Sequence, residues 1–558
     1  MTDMANSSGP LRVRWLGRVP YTEALAIQEQ IFVHGTGNRL LLLEHPHVFT
    51  HGPSADLEKN LLCDPAAVGA DFVAVKRGGD VTYHGPGQLV GYPLLTLPPK
   101  HGDDGPADTI AHVHTVEQVV IESLREAGLA TADRFAGYPG VWVDVDTNPR
   151  KICAIGVRVG RGRRTMHGFA VNVETDLDYM TANIVPCGIS EFPVTSLRAE
   201  GIGIGMREFA DIVARRAAAA WGNGEMERQD VAWRHLPDDL SPFSRGEGAG
   251  QPVRMLSRLA RAGVEEGLEL SERKPDWIRP HVHHDEDVLA LKRTIRELDL
   301  VTVCEEAGCP NLSECWSDGT ATFMVLGERC TRACGFCLVD TRKPMPPDPD
   351  EPRRVAEAVA RTGLSFAVLT MVARDDLPDE GMGHMADTIR AIRGIGSHVR
   401  VESLISDARG TDSLDILIAA RPDVFNHNTE TVPRLQRAVR PSAGYARSLS
   451  VLARGKAAGL TVKSGLIVGM GETDDEVVGV LADLAAIGVD IVTIGQYLRP
   501  TTNHLPVARW VEPAMFEEYK RIGESFGIGH VESSPLTRSS YHAKESADHA
   551  VPVTIGRR

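Results

Sequence analysis

The sequence predicts two domains in tandem, an α+β domain with a sizeable sheet followed by a parallel βα barrel or open sheet. Three observations carry this expectation. At 558 residues the chain is too long for one hydrophobic core. The stretch Asp238–Gly250 (DDLSPFSRGEGAG) is rich in Asp, Ser, Pro and Gly, lacks apolar periodicity and reads as a linker. Beyond it, apolar runs at Thr322–Leu326, Phe366–Thr370, Val399–Ile405, Val424–Asn428, Val462–Val468 and Ile491–Ile494 alternate with helical-looking stretches.

In the first half, Leu40–Leu43 and Val141–Val145 are short apolar runs between glycine-rich turns, as strands of an α+β sheet would be. A further strand is expected from Lys151 to Val159. Glu208–Trp221 places Phe209, Ile212, Val213, Ala217 and Ala220 at helical spacing, giving the domain a last helix. The expected boundaries are 1–230 for the first domain, 231–255 for the linker and 256–558 for the second, where Met255 could start an independent protein.

With 42% hydrophobic and 24% charged residues the composition is that of a globular protein. A net charge of -15 argues against nucleic-acid binding, which usually needs a basic face. No stretch has the length and purity of a membrane span, so no membrane partner is expected. The start, MTDMANSSGPLRVRW, lacks the apolar core of a secretory signal, which makes a cytoplasmic location the expectation.

The chain has 9 cysteines, of which Cys304, Cys309, Cys315, Cys330, Cys334 and Cys337 crowd into one short span. An odd total without an export signal argues against a disulfide framework and for metal or redox chemistry. Cys330-x3-Cys334-x2-Cys337 follows the apolar run Ala321–Gly327. Three such thiolates can hold three irons of a four-iron cluster and leave the fourth open to a small molecule. A structural zinc loop is the alternative, although zinc usually takes a fourth ligand near by. Upstream lies a second triplet, Cys304-x4-Cys309-x5-Cys315, in CEEAGCPNLSECW. In VGMGET the glycines could suggest a phosphate loop, but the lysine that should follow is absent.

The first triplet resembles the signature of the radical S-adenosylmethionine (SAM) enzymes, and the two together resemble lipoyl synthase. The likeness runs over most of Met255–Ala543. It includes Lys274-Pro275-Asp276-Trp277, Arg374-Asp375-Asp376-Leu377, DVFNHNTETVPRL from Asp423, KSGLIVGMGET from Lys463 and QYLRPTTNHLPV from Gln496. Two departures are Met371, where a serine is usual, and Ser406-Asp407-Ala408 in place of Pro-Asp-Phe. The resemblance implies a radical SAM βα (partial TIM) barrel with two [4Fe-4S] clusters and S-adenosyl-L-methionine as cofactors. Cys330, Cys334 and Cys337 would hold the cluster that generates a 5′-deoxyadenosyl radical. Cys304, Cys309 and Cys315 would hold an auxiliary cluster. Its fourth ligand would be Ser540, from Arg538-Ser539-Ser540-Tyr541. The reaction implied is sulfur insertion at C6 and C8 of a protein-bound octanoyl chain, with sulfur taken from the auxiliary cluster. Asn426, His427, Asn428 and Glu430, near a strand end, are candidates for contacting cofactor or substrate, or equally a polar network packing the barrel top.

The first half has a different constellation. Arg77–Gln88 (RGGDVTYHGPGQ) is a glycine-dense run, and Lys151-Ile152-Cys153-Ala154-Ile155-Gly156 opens a strand. His167-Gly168-Phe169-Ala170 leads on to Ile184-Val185-Pro186-Cys187-Gly188-Ile189. A cysteine between proline and glycine sits on a tight exposed turn, and a lysine near it in space would stabilise the thiolate. Over Leu40–Arg198 these blocks resemble lipoyl (octanoyl) transferase, which implies a biotin/lipoate ligase-like α+β domain. By that resemblance Cys187 and Lys151 form the catalytic dyad. The substrate pocket would be lined by Arg77, Gly78, Gly79, Asp80, Val81, Thr82, Tyr83 and His84, by Ala154, Ile155 and Gly156, and by Gly168, Phe169 and Ala170. Cys153 is a rival nucleophile by proximity, but simple alternation puts it on the same strand face as Lys151 inside the sheet, where a packed thiol is commoner. Cys63 reads as structural.

The implied partners are octanoyl-acyl carrier protein, the lipoyl domains of 2-oxoacid dehydrogenases and glycine cleavage H protein, and an electron donor such as flavodoxin or ferredoxin. Arg158, Arg161, Arg163 and Arg164 could dock the acidic carrier protein or form a solvated hairpin end. Two rival readings concern the first half: a non-catalytic module that presents lipoyl domains, or an ATP-using ligase.

Overall fold

The apolar run that opens the first half forms β1 (Leu11–Arg18), which pairs in parallel with the leucine run, β2 (Arg39–Glu44). Every residue from Arg39 to Leu43 is buried, which requires cover on both faces of the sheet. This is seen in a computed structural model that describes residues 9–101, 105–232, 258–264, 267, 274–278, 286–303, 311–317, 319–396 and 398–550. The chain divides into two compact units, Met1–Trp233 and Arg234–Arg558. From 233 onward the expected linker, with Met255, lies outside the described residues.

In the first unit β3 (Val48–His51), β4 (Asp71–Ala74) and β5 (Thr82–His84) make a small sheet in the order β4-β3-β5. The main sheet is completed by β6 (Gln88–Leu94), β7 (Ala132–Phe135), β8 (Tyr138–Val143), β9 (Arg150–Val159), β10 (Thr165–Asn172) and β11 (Met226–Asp230). Its order is β11-β1-β2-β6-β10-β9-β8-β7, with only β11, β1 and β2 running parallel. The helix Thr109–Glu126 starts where the Asp108 carboxylate accepts the Ala111 amide at 3.0 Å. With the helix Met206–Trp221 it packs Val116, Val120, Phe209 and Val213 against Leu40, Leu42, Val141 and Ile152. Each fully buried side chain of this kind contributes about 1.5–3 kcal/mol. Phe209, Ile212, Val213 and Ala217 are buried as their spacing predicts, whereas Ala220 is exposed in the last turn.

The second unit is a single eight-stranded sheet in chain order. It comprises β12 (Val301–Thr302), β13 (Thr320–Val325), β14 (Phe366–Met371), β15 (Arg400–Leu404), β16 (Val424–Asn426), β17 (Thr461–Val468), β18 (Ile491–Gln496) and β19 (His530–Ser533). β12 is antiparallel to β13, and every later pairing is parallel. All six apolar runs become strands, and helices such as Glu351–Thr362, Met382–Ile395 and Asp474–Ala486 supply the crossovers. Among the described residues no ladder joins β12 to β19, so the sheet is a mostly parallel βα layer without a shown closure. At the end of β17 the glycine-rich run enters a helix through a capping box between Thr473 and Glu476. There the Glu472 carboxylate accepts the amides of Gly469 at 2.5 Å and Met470 at 3.0 Å. Those are the groups a phosphate would have used.

Candidate functional sites

The first unit contains a cavity of about 360 Å³. Its floor begins with the glycine-rich run, which is tied down by Arg77. That guanidinium donates to the carbonyls of Gly78 and Asp80 at 3.0 and 3.1 Å, and to the Thr50 carbonyl and hydroxyl at 3.0 and 2.8 Å. Strand alternation then sorts the run. Asp80, Thr82 and His84 line the cavity with Arg77, Gly78 and Gly79. Val81 and Tyr83 turn to the opposite side, into a small core with Phe49, Met180 and Ile184. His84 is held by Gln88 from the same run at 2.8 Å. Burial drives its pKa down to about 3, so it is neutral at physiological pH.

Cys187 sits on the short turn Pro186–Gly188 with a left-handed backbone, φ 58 and ψ 19. For a residue with a Cβ this conformation costs roughly 1 kcal/mol, the kind of strain found at reactive turns. The Cys187 amide donates to Val81 O at 2.9 Å, and the sulfur lies 4.0 Å from the Thr82 hydroxyl. Gly188 follows with φ 69, and a Cβ there would stand 3.1 Å from the Asp80 carboxylate.

Lys151 reaches the same cavity through a β-bulge. β9 pairs with β8 as Cys153 to Val141 and Lys151 to Trp142, which leaves Ile152 as one extra residue. Ile152 and Cys153 therefore both enter the core, while Lys151 lines the cavity with Ala154 and Gly156. This corrects the expectation of simple alternation, in which Lys151 and Cys153 shared a face. Burial pushes the Cys153 thiol up to about 12. The Lys151 ammonium lies 5.4 Å from the centre of the Trp142 ring.

Ile155, Gly168, Phe169 and Ala170 complete the expected lining, so every candidate in this half except Val81 and Tyr83 borders one space with Cys187 and Lys151. Tyr21, Tyr92, Val113, Pro139, His167 and Ile189 also line it, and the sequence reading did not single them out. They come from helix, strand and loop far apart in the chain and share no local pattern. Of these, His167 and Ile189 stand in blocks quoted from the sequence, His167 opening one and Ile189 closing another, without having been assigned to the lining. The left-handed φ of 62 at His167 and its unpartnered, buried Nδ1 become visible only in three dimensions. Cys63 is half-buried and borders a satellite core. Of the basic run, Arg164 is buried and bonded to Gly37 O, Thr96 Oγ1 and Ile31 O, and Arg163 donates to Leu97 O. Arg158 lies over the Phe32 ring at 5.4 Å, and Arg161 is exposed.

The second unit has its own cavity, of about 390 Å³, at the strand ends. Cys330, Cys334, Cys337 and Ser540 all line it. The cysteine loop leaves β13 and is fixed by its backbone: the Cys330 amide donates to Asp340 O at 2.8 Å and Gly335 N to Val439 O at 2.8 Å. A Cβ at Gly335 would fall 2.6 Å from the Leu505 side chain, which would have to shift to admit it. Burial pushes the thiols up, Cys330 to about 11 and Cys337 to about 12. A cation bound here would have to displace those protons, as thiophilic iron does. Three free cysteines lining one pocket are the donor set that a cluster with an open coordination position would use.

Cys315 lies on the helix Leu312–Ser317, while Cys304 and Cys309 lie outside the described residues. The segments bearing Cys315 and Ser540 are neighbours: Asn311 Nδ2 donates to Leu536 O at 2.7 Å, and the Tyr541 hydroxyl to Glu314 at 3.1 Å. Asn428 and Glu430 line the cavity, joined by a 3.0 Å bond, with Glu430 in a left-handed conformation. Asn426 and His427 are instead buried supports. Asn426 donates to Glu402 at 2.6 Å, and His427 bonds Ile405 O and the Ser448 hydroxyl. Met371 and Ser406, where the sequence departs from the usual family wording, line the cavity, as does Asp407 between the two departing residues Ser406 and Ala408.

The second unit's fold and cysteine loop define a radical SAM enzyme, and the Radical SAM superfamily model matches residues 324–484. In the first unit the model of the lipoyl protein ligase A/B catalytic domain matches residues 20–218. Curated lipoyl synthases align with the second half. The protein from Rubrobacter xylanophilus is 52% identical over 288 residues, 51% of this chain and 90% of the relative. That from Chlorobium limicola is 53% identical over 277 residues, 49% of this chain and 95% of the relative. That from Methylococcus capsulatus is 50% identical over 315 residues, 56% of this chain and 96% of the relative.

The chain belongs to the lipoyl synthase family and carries in front of that enzyme a lipoyl ligase A/B-type catalytic domain. SAM and iron–sulfur chemistry come with that membership. No helix among the described residues is long and apolar enough to cross a membrane.

Proposed function

We propose that this chain makes protein-bound lipoyl groups in two consecutive steps, octanoyl transfer by the first unit and sulfur insertion by the second. The observation that carries the first step is the joint placement of Cys187 and Lys151 in one glycine-rimmed cavity. The Cys187 sulfur attacks the thioester of octanoyl-acyl carrier protein, and the carrier thiol leaves. A lysine amine on a lipoyl domain then attacks the Cys187 thioester, forming the amide and returning the thiol. In this reading Lys151, which lines the same cavity, takes and gives the proton in both halves. His84 and His167 are held neutral by burial, near 3 and 4, and so add no charge of their own to the acyl site. The lipoyl domains of 2-oxoacid dehydrogenases and of glycine cleavage H protein are the acceptors in this reading.

In the second unit Cys330, Cys334 and Cys337 would hold the cluster that binds SAM, and Cys304, Cys309, Cys315 and Ser540 a second, sulfur-donating one. When bound, these two [4Fe-4S] groups and SAM supply the radical that removes hydrogen at C6 and C8 and the two sulfur atoms, with electrons from a flavodoxin or ferredoxin. The protein's part is to hold Cys330, Cys334, Cys337 and Ser540 on one cavity and to exclude bulk water from it. Ser540 in place of a fourth thiolate makes a weaker ligand, suited to a cluster that is given away.

One anaerobic experiment tests both halves. Reconstituted protein is mixed with octanoyl-carrier protein, apo lipoyl domain, SAM and reductant, and the lipoyl domain is followed by mass. Octanoylation and then gain of two sulfurs is the expected course. Loading that requires ATP would assign the first unit to the ligase reading. An unmodified Cys187 with octanoyl-carrier protein alone would assign it to the presenting module.

A further inference from the structure

Between the first two cysteines of the loop stand Thr331 and Arg332, and both are spent on carboxylates from neighbouring strand ends. The Thr331 hydroxyl lies 2.6 Å from Asp375 Oδ2, and the Thr331 amide donates to Ala373 O at 2.9 Å. Arg332 places Nε 2.9 Å from Asp375 Oδ2 and one terminal nitrogen 2.7 Å from Asp375 Oδ1. Its other terminal nitrogen is bonded to Asp407 Oδ1, and the Asp407 carbonyl also accepts. Arg332 is 7% exposed and Asp407 0%, and the Asp375 side chain is 19% exposed, so this is a largely buried, charge-assisted network rather than a surface pair. Asp375 follows β14 and Asp407 follows β15, so the loop after β13 is gripped across two adjacent strands. The grip reaches the metal side directly, because Cys330 Sγ accepts the amides of Arg332 at 3.4 Å and Ala373 at 3.3 Å.

We infer that Asp407 and Asp375 act, through Arg332, as positioning residues that set the Cys330–Cys334 segment in its iron-binding form. This rests on the reading of Cys330, Cys334 and Cys337 as cluster ligands. A planar guanidinium with both ends occupied leaves the intervening loop little freedom, so the sulfurs need not be ordered by the metal itself. Lysine could carry the same charge but not bridge two carboxylates. Asp407, the residue that grips, is the middle letter that Ser406-Asp407-Ala408 shares with the usual Pro-Asp-Phe.

The test uses the full-length, reconstituted holoprotein. Its readout is the reduced-cluster paramagnetic resonance signal that shifts on adding SAM, followed during exposure to an iron(II) chelator. Asp407→Asn and Arg332→Lys should each lose that signal about tenfold faster than the parent, the usual cost of removing a ligand's outer support. The double variant should be no faster than either single one, because the force passes through one contact. Rates in both variants equal to the parent's would overturn the inference. So would a defect in Asp407→Asn with Arg332→Lys behaving like the parent. Arg332→Lys keeps the test open if Asp407→Asn does not fold. A parent without any SAM-responsive signal would instead sink the cluster reading on which the inference stands.

Discussion

The two cavities are close in volume, about 360 and 390 Å³, yet sulfur is presented differently in each. In the first unit a single cysteine stands on a strained turn, over a floor of glycines and strand backbone, with a lysine brought in by a bulge. In the second, three cysteines share one loop that is gripped by a largely buried ion-pair network and packed against its neighbours. A nucleophile needs access and a backbone that presents it, whereas a ligand set needs its spacing held. On the proposed function, that is the difference expected between group transfer and metal binding.

Exchanging the sulfurs should break the comparison most visibly. Cys187→Ala should abolish octanoyl transfer, a loss on the order of 10³-fold or more. It should leave sulfur insertion into a pre-octanoylated lipoyl domain unchanged, and Cys334→Ala should do the reverse. Mass analysis of the lipoyl domain reads both. Next in size is Lys463→Met in the second unit, which strands Glu402 without its partner at 3.0 Å, both side chains being fully buried. Denaturant titration should show a loss of about 3–5 kcal/mol confined to that unit.

Acid sharpens the contrast further. Burial lowers His45, His112 and His167 to about 4 and His84 to about 3 in the first unit, whereas only His427 falls as far, to about 3, in the second among the described residues. A lowered folded-state pKa means that the unfolded chain takes up protons first. The stability these neutral rings contribute is complete above about pH 6.5 and fades as pH drops toward 4 and 3. The first unit should therefore unfold earlier on acidification, losing about 3 kcal/mol per ring by pH 4, as tryptophan fluorescence against pH would register. The smallest effect belongs to the exposed Arg161. Arg161→Glu should raise the apparent KM for acyl carrier protein a few-fold, about 1 kcal/mol or less, with kcat unchanged. An unchanged KM removes the hairpin end from the docking surface.

Much of the second unit was legible because its strands are continuous apolar runs in chain order and its cysteines are adjacent in sequence. The first unit was legible in its blocks but less so in how they face. Val81 and Tyr83 belong to the same run as Thr82 and His84, yet pleating sends them to another core. Tyr21 and Val113 reach the cavity from helices whose own patterns speak only of packing. The clamp on Arg332 joins residues 43 and 75 positions apart, and no local signal marks it. Asn426 and His427 sit in the same short motif as Asn428 and Glu430. Asn426 ends β16 and His427 after it is still buried, while the next residue, Asn428, already lines the cavity.

The extra residue in β9 has a consequence for how this half can vary over evolutionary time. Counting back from Gly156 by plain alternation would put Ile152 on the cavity and Lys151 in the apolar interior, and the extra residue undoes this. Straightening the bulge at constant length is therefore the change that would turn the lysine inward. Deleting Ile152 removes the bulge but leaves Lys151 and Cys153 on opposite faces, where they already stand. A variant lacking Ile152 should accordingly keep Lys151 in reach of the cavity, which octanoyl transfer by that variant would register.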